Sequence, residues 1–207
     1  MMAGMTESMT TAVLGLARQV SYDDEPLILV DDQDQPRGSA SKQACHDGQG
    51  SLHRAFSVFL FDRSGCLLIQ QRGADKRLWP GFWANSCCSH PRWGEEMAEA
   101  TQRRMAEELG VSVSVHFLYK FIYHAHYLDR GAEHEFCWVH VGLVEPSDIQ
   151  ANPSELADWK MVKAAEVDQM MADPACPVAP WFRLEWKALA GPHRDALHQA
   201  LGLRVFR

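Results

Sequence analysis

Asn85-Ser86-Cys87-Cys88-Ser89-His90-Pro91 sets a thiol and an imidazole two positions apart, just upstream of a carboxylate-rich stretch from Glu95 to Val111. These are the groups that proton transfer on a phosphorylated substrate needs: side chains able to give and take a proton, and carboxylates able to hold a hard cation that grips phosphate oxygens. His46 and His53 flank a glycine-containing loop, and Glu133 and Glu135 share one face if their segment is extended. With His90 they form an N3O2 set suited to Mn2+, Zn2+ or Mg2+. Taken singly, each histidine is an ordinary surface or core residue, and Cys88 an ordinary buried thiol. A nearby metal and basic residues would instead lower the pKa of Cys88 and make it a usable acid or base. A structural zinc site from Cys45, Cys87, Cys88 and His90 is a further reading, which no C-x2-C pair supports.

The elements that must position these groups follow from pattern. Pro26 to Val30 reads as a strand entering a polar turn over 31–38, and Ser41 to Cys45 as a short helical turn. Arg54 to Asp62 and Cys66 to Gln71 flank Asp62-Arg63-Ser64-Gly65, a hairpin signal. A basic loop with Arg72, Lys76 and Arg77 leads into Trp79-Pro80-Gly81 and then a strand over 82–88. Ala98, Thr101, Met105 and Leu109 fall at helical spacing, with Arg103, Arg104, Glu107 and Glu108 on the other sides and Gly110 as the stop. Strands are expected over 111–127, 135–144 and 158–162, and helices over 164–171 and 181–201, the latter broken at Gly191-Pro192.

At 207 residues, 46% hydrophobic and 23% charged, the chain suits one domain with a sizeable core. Its mixture of hairpins and separated helices argues for an α+β fold. A formal net charge of −7 provides no basic field to recruit nucleic acid or an acidic membrane surface. An anionic substrate therefore needs a local basic cluster. No apolar run approaches the roughly 18 residues of a membrane span, and no protein partner is indicated. Residues 1–20 read as a flexible extension ahead of a domain over 21–207, without the features of a secretory signal. The cysteines are expected as reduced thiols in the cytoplasm.

The stretch Glu95, seven residues, Arg103-Arg104-Met105-Ala106-Glu107-Glu108-Leu109-Gly110-Val111 resembles the Nudix box, G-x5-E-x7-R-E-U-x-E-E-x-G-U. Ser89 stands where the first glycine belongs and Arg104 where the first glutamate of the R-E pair belongs. Losing that carboxylate weakens a hydrolytic metal centre and adds a phosphate-binding group. Lys42-x3-His46-x6-His53, Trp79-Pro80-Gly81, Asn85 to Pro91, the altered box and Glu133-His134-Glu135 occur in this order. Together they resemble the type I isopentenyl-diphosphate Δ-isomerases, over roughly Pro26 to Trp181.

That resemblance implies a single-domain Nudix-type α/β/α sandwich with a mixed β-sheet. It implies Cys88 and Glu135 as the catalytic pair, with Tyr123 by the reacting carbons, and His46, His53, His90, Glu133 and Glu135 as ligands of one metal. Glu108 and the main-chain carbonyl of Cys88 would hold Mg2+ bridging to the substrate diphosphate. Lys42, Arg72, Lys76 and Arg104 would contact that diphosphate, and Trp181 would face a cationic intermediate. The implied reaction interconverts isopentenyl and dimethylallyl diphosphate through a tertiary carbocation. A Nudix pyrophosphohydrolase acting on a nucleoside or prenyl diphosphate is the alternative, and a metal-stapled binding module a third.

Overall fold

The structure, a computed structural model, describes residues 18–206. Most of the extension expected over 1–20 lies outside these residues. Within them, Val20 is buried and its carbonyl accepts a hydrogen bond from Arg104 at 2.9 Å.

The chain order is β1 (Pro26–Val30), β2 (Pro36–Ser41), α1 (Lys42–His46), β3 (His53–Phe61), β4 (Leu67–Arg72), β5 (Trp83–Ala84), β6 (Cys87–Ser89) and α2 (Met97–Leu109). It continues with β7 (Val115–Tyr127), β8 (Gly131–Leu143), a 3-10 turn (Pro146–Asp148), β9 (Leu156–Val162), α3 (Ala164–Ala172), α4 (Pro180–Ala190) and α5 (Arg194–Leu201). The strands form one mixed sheet around β3, which runs parallel to β8 from His53 opposite Glu135 to Phe61 opposite Leu143. Antiparallel β6 lies on its other side, with Ser57 opposite Cys88.

Strand β3 explains its own sequence. Its alternate side chains Phe56, Val58 and Leu60 pack with Met105 and Leu109 of α2. Phe59 and Phe61 pack on the opposite face with Phe182 and Trp186 of α4 and Leu197 of α5. A strand covered on both faces reads as a continuous apolar run rather than an alternation. The result is a single α/β/α sandwich. Among the described residues no helix is long and apolar enough to cross a membrane.

Three local expectations are corrected. The polar turn ends earlier: Asp31 Oδ1 accepts from the amides of Gln33 and Gln35, each at 2.9 Å, and Pro36 to Ser41 returns as strand β2. Proline as the first residue of a polar strand hid it. The strand expected over 82–88 is two strands, because Asn85 and Ser86 cross from β4 to β3. The hairpin joining β3 and β4 accordingly keeps only the Phe61–Leu67 pair. Ser86 Oγ donates to the Leu68 carbonyl at 2.6 Å and accepts the Leu60 amide at 2.8 Å, while Asn85 Nδ2 reaches the Val58 carbonyl at 3.2 Å. These side chains satisfy buried backbone groups that the splayed strands leave unpaired. On α2 the inward stripe is Ala100, Thr101, Arg104, Met105, Glu108 and Leu109. Ala98 is exposed, and two residues assigned to outer faces point in.

Helix α2 is bounded as its sequence suggests. Glu96 and Glu99 form a capping box, and Gly110 closes it at φ 69°. Arg103 pairs with Glu95 at 2.7 Å and Glu107 at 3.2 Å.

Candidate active site

His53 opens β3, His46 ends α1, His90 follows β6, and Glu133 and Glu135 lie two apart on β8, so that five donor side chains meet at one end of the sheet. Their ligand atoms lie within 4.8 Å of one another. The three imidazole centroids are 4.8 to 5.2 Å apart. All five residues are buried. His46 Nδ1 sits 2.6 Å from the Lys42 carbonyl and His53 Nδ1 2.7 Å from that of Ser51. A carbonyl partner requires Nδ1 to carry the proton and turns the Nε2 lone pair inward, as a metal-ligating imidazole needs. His46 Nε2 is 2.8 Å from Glu133 Oε2, and His90 Nε2 is 2.9 Å from Glu135 Oε1. His53 Nε2 is buried without a hydrogen bond. An orphaned imidazole nitrogen among donor atoms that converge on one point fits a divalent cation. Cys45, Cys87 and Cys88 form no such group with His90 among the described residues, so the zinc-staple reading lacks a site.

Electrostatics agree with that fit. Burial, then the neighbouring His46, pushes His53 down to about 3. Burial, then His53 and His46, holds His90 well below its usual range. Neutral imidazoles are the form that binds metal. Burial also disfavours charge on His46 and Glu133, but their mutual attraction prevails, raising His46 and lowering Glu133. Burial and the Glu133 charge raise Glu135 well above the carboxylate range.

A cavity of about 690 Å3 opens beside this cluster, lined by Cys88, Tyr123, Glu135 and Trp181 together with Lys42, Arg72, Lys76 and Arg104. Tyr123 donates its hydroxyl to Glu135 Oε2 at 2.7 Å. Cys88 Sγ lies 2.7 Å from Asn85 Oδ1 and 3.3 Å from the Trp181 indole nitrogen. The Trp181 ring meets Trp79 edge-on at 5.4 Å and Tyr123 at 6.3 Å. Cys87 points to the opposite face, into the α2 core. The protein's own groups act against the expected lowering of the Cys88 pKa: burial and then Glu185 push the thiol well above its usual value, with Arg72 opposing.

The basic residues gather as required, but they are already engaged. Arg104 contacts Glu108 at 2.5 Å, Glu107 at 3.0 Å and Glu155 at 3.2 Å. Lys76 pairs with Glu155, and Lys42 with Ser21 Oγ. Burial, Lys76 and Arg104 bring Lys42 down to about 8. Arg72 donates to the carbonyls of Leu78 and Trp79, and its guanidinium lies 5.2 Å over the Trp181 ring. Glu108 is buried behind Arg104 and is not part of the cavity wall. Its assignment as a Mg2+ ligand therefore requires that ion pair to open. Glu155, Ser57 and Glu185 escaped sequence reasoning, since none sits in a motif. Asn85 was in view within its string but was assigned no task.

A NUDIX domain family model matches residues 51–182. The chain is 39% identical over 175 residues to isopentenyl-diphosphate Delta-isomerase 1 of Photorhabdus laumondii, covering 84% of this chain and 99% of that protein. It is 40% identical over 195 residues to an isopentenyl-diphosphate delta-isomerase of Aspergillus fumigatus, covering 80% and 70% of the two. A match to the Serratia proteamaculans isopentenyl-diphosphate Delta-isomerase reaches 48% over 136 residues, 66% of this chain and 75% of that one. Among solved structures, a Deinococcus radiodurans protein superposes with a TM-score of 0.65 at 20% identity, over 79% of this chain and 98% of that one, a likeness of fold alone.

Proposed function

The chain belongs to the isopentenyl-diphosphate Δ-isomerases built on the Nudix domain, and we propose that its cavity interconverts isopentenyl and dimethylallyl diphosphate by proton addition and removal. The observation that carries this reading is one cavity lined by a thiol, a tyrosine-bound carboxyl and an indole face, with a basic cluster in the same wall. Shifting a double bond needs an acid and a base on either side of a flat alkene. Cys88 and Glu135 are suited to those roles, and Tyr123 is hydrogen-bonded so that it can pass a proton to or from Glu135. The burial that keeps Cys88 a thiol favours it as a proton donor at neutral pH. The Trp181 face, walled by Trp79 and Tyr123, would meet the tertiary carbocation and keep water from it.

His46, His53, His90, Glu133 and Glu135 would hold a divalent metal, Mn2+, Zn2+ or Mg2+, the three imidazoles suiting Zn2+ and the two carboxylates Mn2+ and Mg2+. When bound, that metal supplies positive charge that orients Glu135 and eases its loss of a proton. Lys42, Arg72, Lys76 and Arg104 would anchor the diphosphate, which holds the alkene in register and does not leave. Glu108 and the Cys88 carbonyl would take the Mg2+ that accompanies it, with Arg104 turning from Glu108 to the phosphate. Free thiols at all cysteines suit the cytoplasm.

Incubation of the metal-loaded protein with isopentenyl diphosphate in D2O tests the reading. Deuterium should enter carbon positions of both isomers with the diphosphate intact. Release of phosphate without carbon-bound deuterium would establish a pyrophosphohydrolase instead.

A further inference from the structure

Residues 18 to 25, ahead of β1, run past the basic cluster, and the chemistry assigned above uses none of their side chains. The segment is tied down along its length. The Arg18 carbonyl accepts from Asn152 Nδ2 at 2.7 Å and from Ser154 Oγ at 2.6 Å. The Val20 carbonyl accepts from Arg104 Nη1 at 2.9 Å. Further along, the Asp23 and Glu25 carbonyls accept from the amides of Gln43 and Lys42, at 2.9 and 2.8 Å. Lys42 and Arg104, two of the cations assigned to the diphosphate, are thus bonded to this segment. Gln19, Ser21, Tyr22, Asp23 and Asp24 line the same cavity as those cations.

Ser21 differs from its neighbours in what its side chain has left to donate. Its Oγ accepts a hydrogen bond from Lys42 Nζ. A serine hydroxyl has one proton, and a hydroxyl that accepts from an ammonium turns that proton away from it. Among the described residues no acceptor takes the Ser21 proton. Tyr22, by contrast, spends its hydroxyl on the Gln19 carbonyl at 2.9 Å, and Gln19 Nε2 reaches the Ser21 carbonyl at 3.3 Å. Ionised Asp23 and Asp24 side chains have no proton to give. Ser21 is half-buried in the cavity wall, so its proton is available to an acceptor that enters the cavity beside Lys42.

We propose that Ser21 is a further diphosphate-binding residue, donating its hydroxyl proton to a phosphate oxygen that Lys42 also holds. This rests on the reading in which the basic cluster receives the diphosphate. The Lys42 ammonium has three protons, so the one given to Ser21 leaves others for the phosphate. Its donation to Oγ polarises the hydroxyl and strengthens it as a donor in turn. No proton changes hands and no covalent bond breaks. The hydroxyl also adds no charge to a cluster in which Lys76 and Arg104 already stand against carboxylates. It therefore favours an anion without a further cation that the protein would have to neutralise before substrate arrives.

The diphosphate stays intact through the reaction, so a contact made to it is equally strong in substrate and transition state. Such a contact lowers KM and leaves kcat alone.

The test uses the full metal-loaded chain with Mg2+ present. It measures kcat and KM for isopentenyl diphosphate and the calorimetric Kd for inorganic pyrophosphate, with thermal unfolding as a folding control. Ser21→Ala should raise KM and the pyrophosphate Kd about tenfold, as expected for losing a hydrogen bond to a charged acceptor, with kcat within about twofold. Ser21→Thr keeps the hydroxyl and should stay within about threefold of wild type in all three. On a Lys42→Met background, Ser21→Ala should still weaken binding about fivefold to tenfold, because the serine reaches the phosphate itself. A serine that only oriented Lys42 would cost nothing further there. Unchanged KM and Kd in Ser21→Ala, a loss that falls on kcat, Ser21→Thr as weak as Ser21→Ala, or a loss that vanishes on the Lys42→Met background would overturn the proposal. If Lys42→Met binds too weakly to measure, Lys42→Arg serves as the background. A wild type that binds no pyrophosphate sinks the reading of the basic cluster, whereas a binding wild type with an indifferent Ser21→Ala sinks only this contact.

Discussion

Replacing Trp181 tests whether the indole face carries positive charge during turnover. The residue is 3% exposed, its ring faces Tyr123 and Trp79, and its N–H is directed at Cys88 Sγ and Asn85 Oδ1, 3.3 and 3.2 Å away. Two contributions can be separated. A carbocation against a desolvated indole gains about 2 kcal/mol, which is about 30-fold in rate. A hydrogen bond to the sulfur is worth about 1 kcal/mol, or about fivefold. Trp181→Phe keeps an aromatic face and loses the N–H, so kcat should fall about fivefold to tenfold. Trp181→Leu loses both, and kcat should fall on the order of 150-fold. KM should change less than kcat, because Lys42, Lys76 and Arg104 do not rest on this ring, although the Arg72 guanidinium lies 5.2 Å over it. Leucine leaves part of the ring's space empty, costing about 2 kcal/mol of stability. Assays therefore belong well below the unfolding midpoint of each variant. Steady-state kinetics with isopentenyl diphosphate, with deuterium incorporation followed by NMR, provide the readout. A folded Trp181→Leu enzyme within about threefold of wild-type kcat, or one whose loss lies wholly in KM, would refute the cationic role.

Cys88→Ala should cost about 10^2 to 10^4 in kcat while leaving the unfolding midpoint near wild type; near-normal turnover would exclude the thiol from the chemistry. Arg104→Met leaves Glu108 and Glu155 buried without their shared cation, and should destabilise the fold by about 3 to 5 kcal/mol in urea denaturation; an unchanged midpoint would mean that the network is incidental. In the metal-free protein, stability should fall as pH drops below 6.5, where an unfolded imidazole takes up a proton that His53 resists until about 3. Burial depresses His90 in the same direction, so each of the two contributes a loss of about 1.4 kcal/mol per pH unit. His46, raised by Glu133, has the opposite sign: its stabilising contribution is complete below 6.5 and lost as pH rises through its folded value. The raised carboxyls Glu135 and Glu185 also gain stability as pH falls toward 4.5, so the His53 contribution is read as the difference between wild type and His53→Gln, and a difference in urea midpoint that stays flat between pH 7 and pH 5 would contradict it.

The helix that carries the altered Nudix box was legible because its residues obey a helical period and Gly110 marks its end. Thr101, Met105 and Leu109 of its inward stripe were read correctly, but Arg104 and Glu108 were left out because they are charged and periodicity arguments place charges outside. They can be buried only because each neutralises the other. The strand at 82–88 was read as continuous because apolar residues stand at both ends. The break depends on Asn85 and Ser86 serving backbone groups of strands far away in sequence, which no local pattern encodes. The His and Glu donors on β3 and β8 could be grouped from residue type, but their contact depends on the parallel register of His53 with Glu135. Glu155 and Glu185 had no signal at all, since a lone glutamate on a helix or loop looks like a solvated one. What makes each unusual is burial, which is a property of the packed molecule.

Arg104 also bears on how the substrate enters. Three of the four cations that line the cavity, Lys42, Lys76 and Arg104, stand against three carboxylates, Glu107, Glu108 and Glu155, with Lys76 and Arg104 ion-paired to them and Lys42 nearby. At neutral pH that network is close to electroneutral, although it holds the basic cluster that a diphosphate requires. A bare diphosphate would bring several negative charges into a poorly solvated site whose cations are already paired, and desolvation would oppose it. Binding becomes favourable if Mg2+ enters with the substrate and takes over a carboxylate such as Glu108, releasing Arg104 to the phosphate. The arginine that replaces the hydrolytic glutamate then has two successive partners. It neutralises the buried acids of the box before substrate arrives, and the phosphate afterwards. Substrate affinity should therefore depend on Mg2+ in addition to the metal among the histidines.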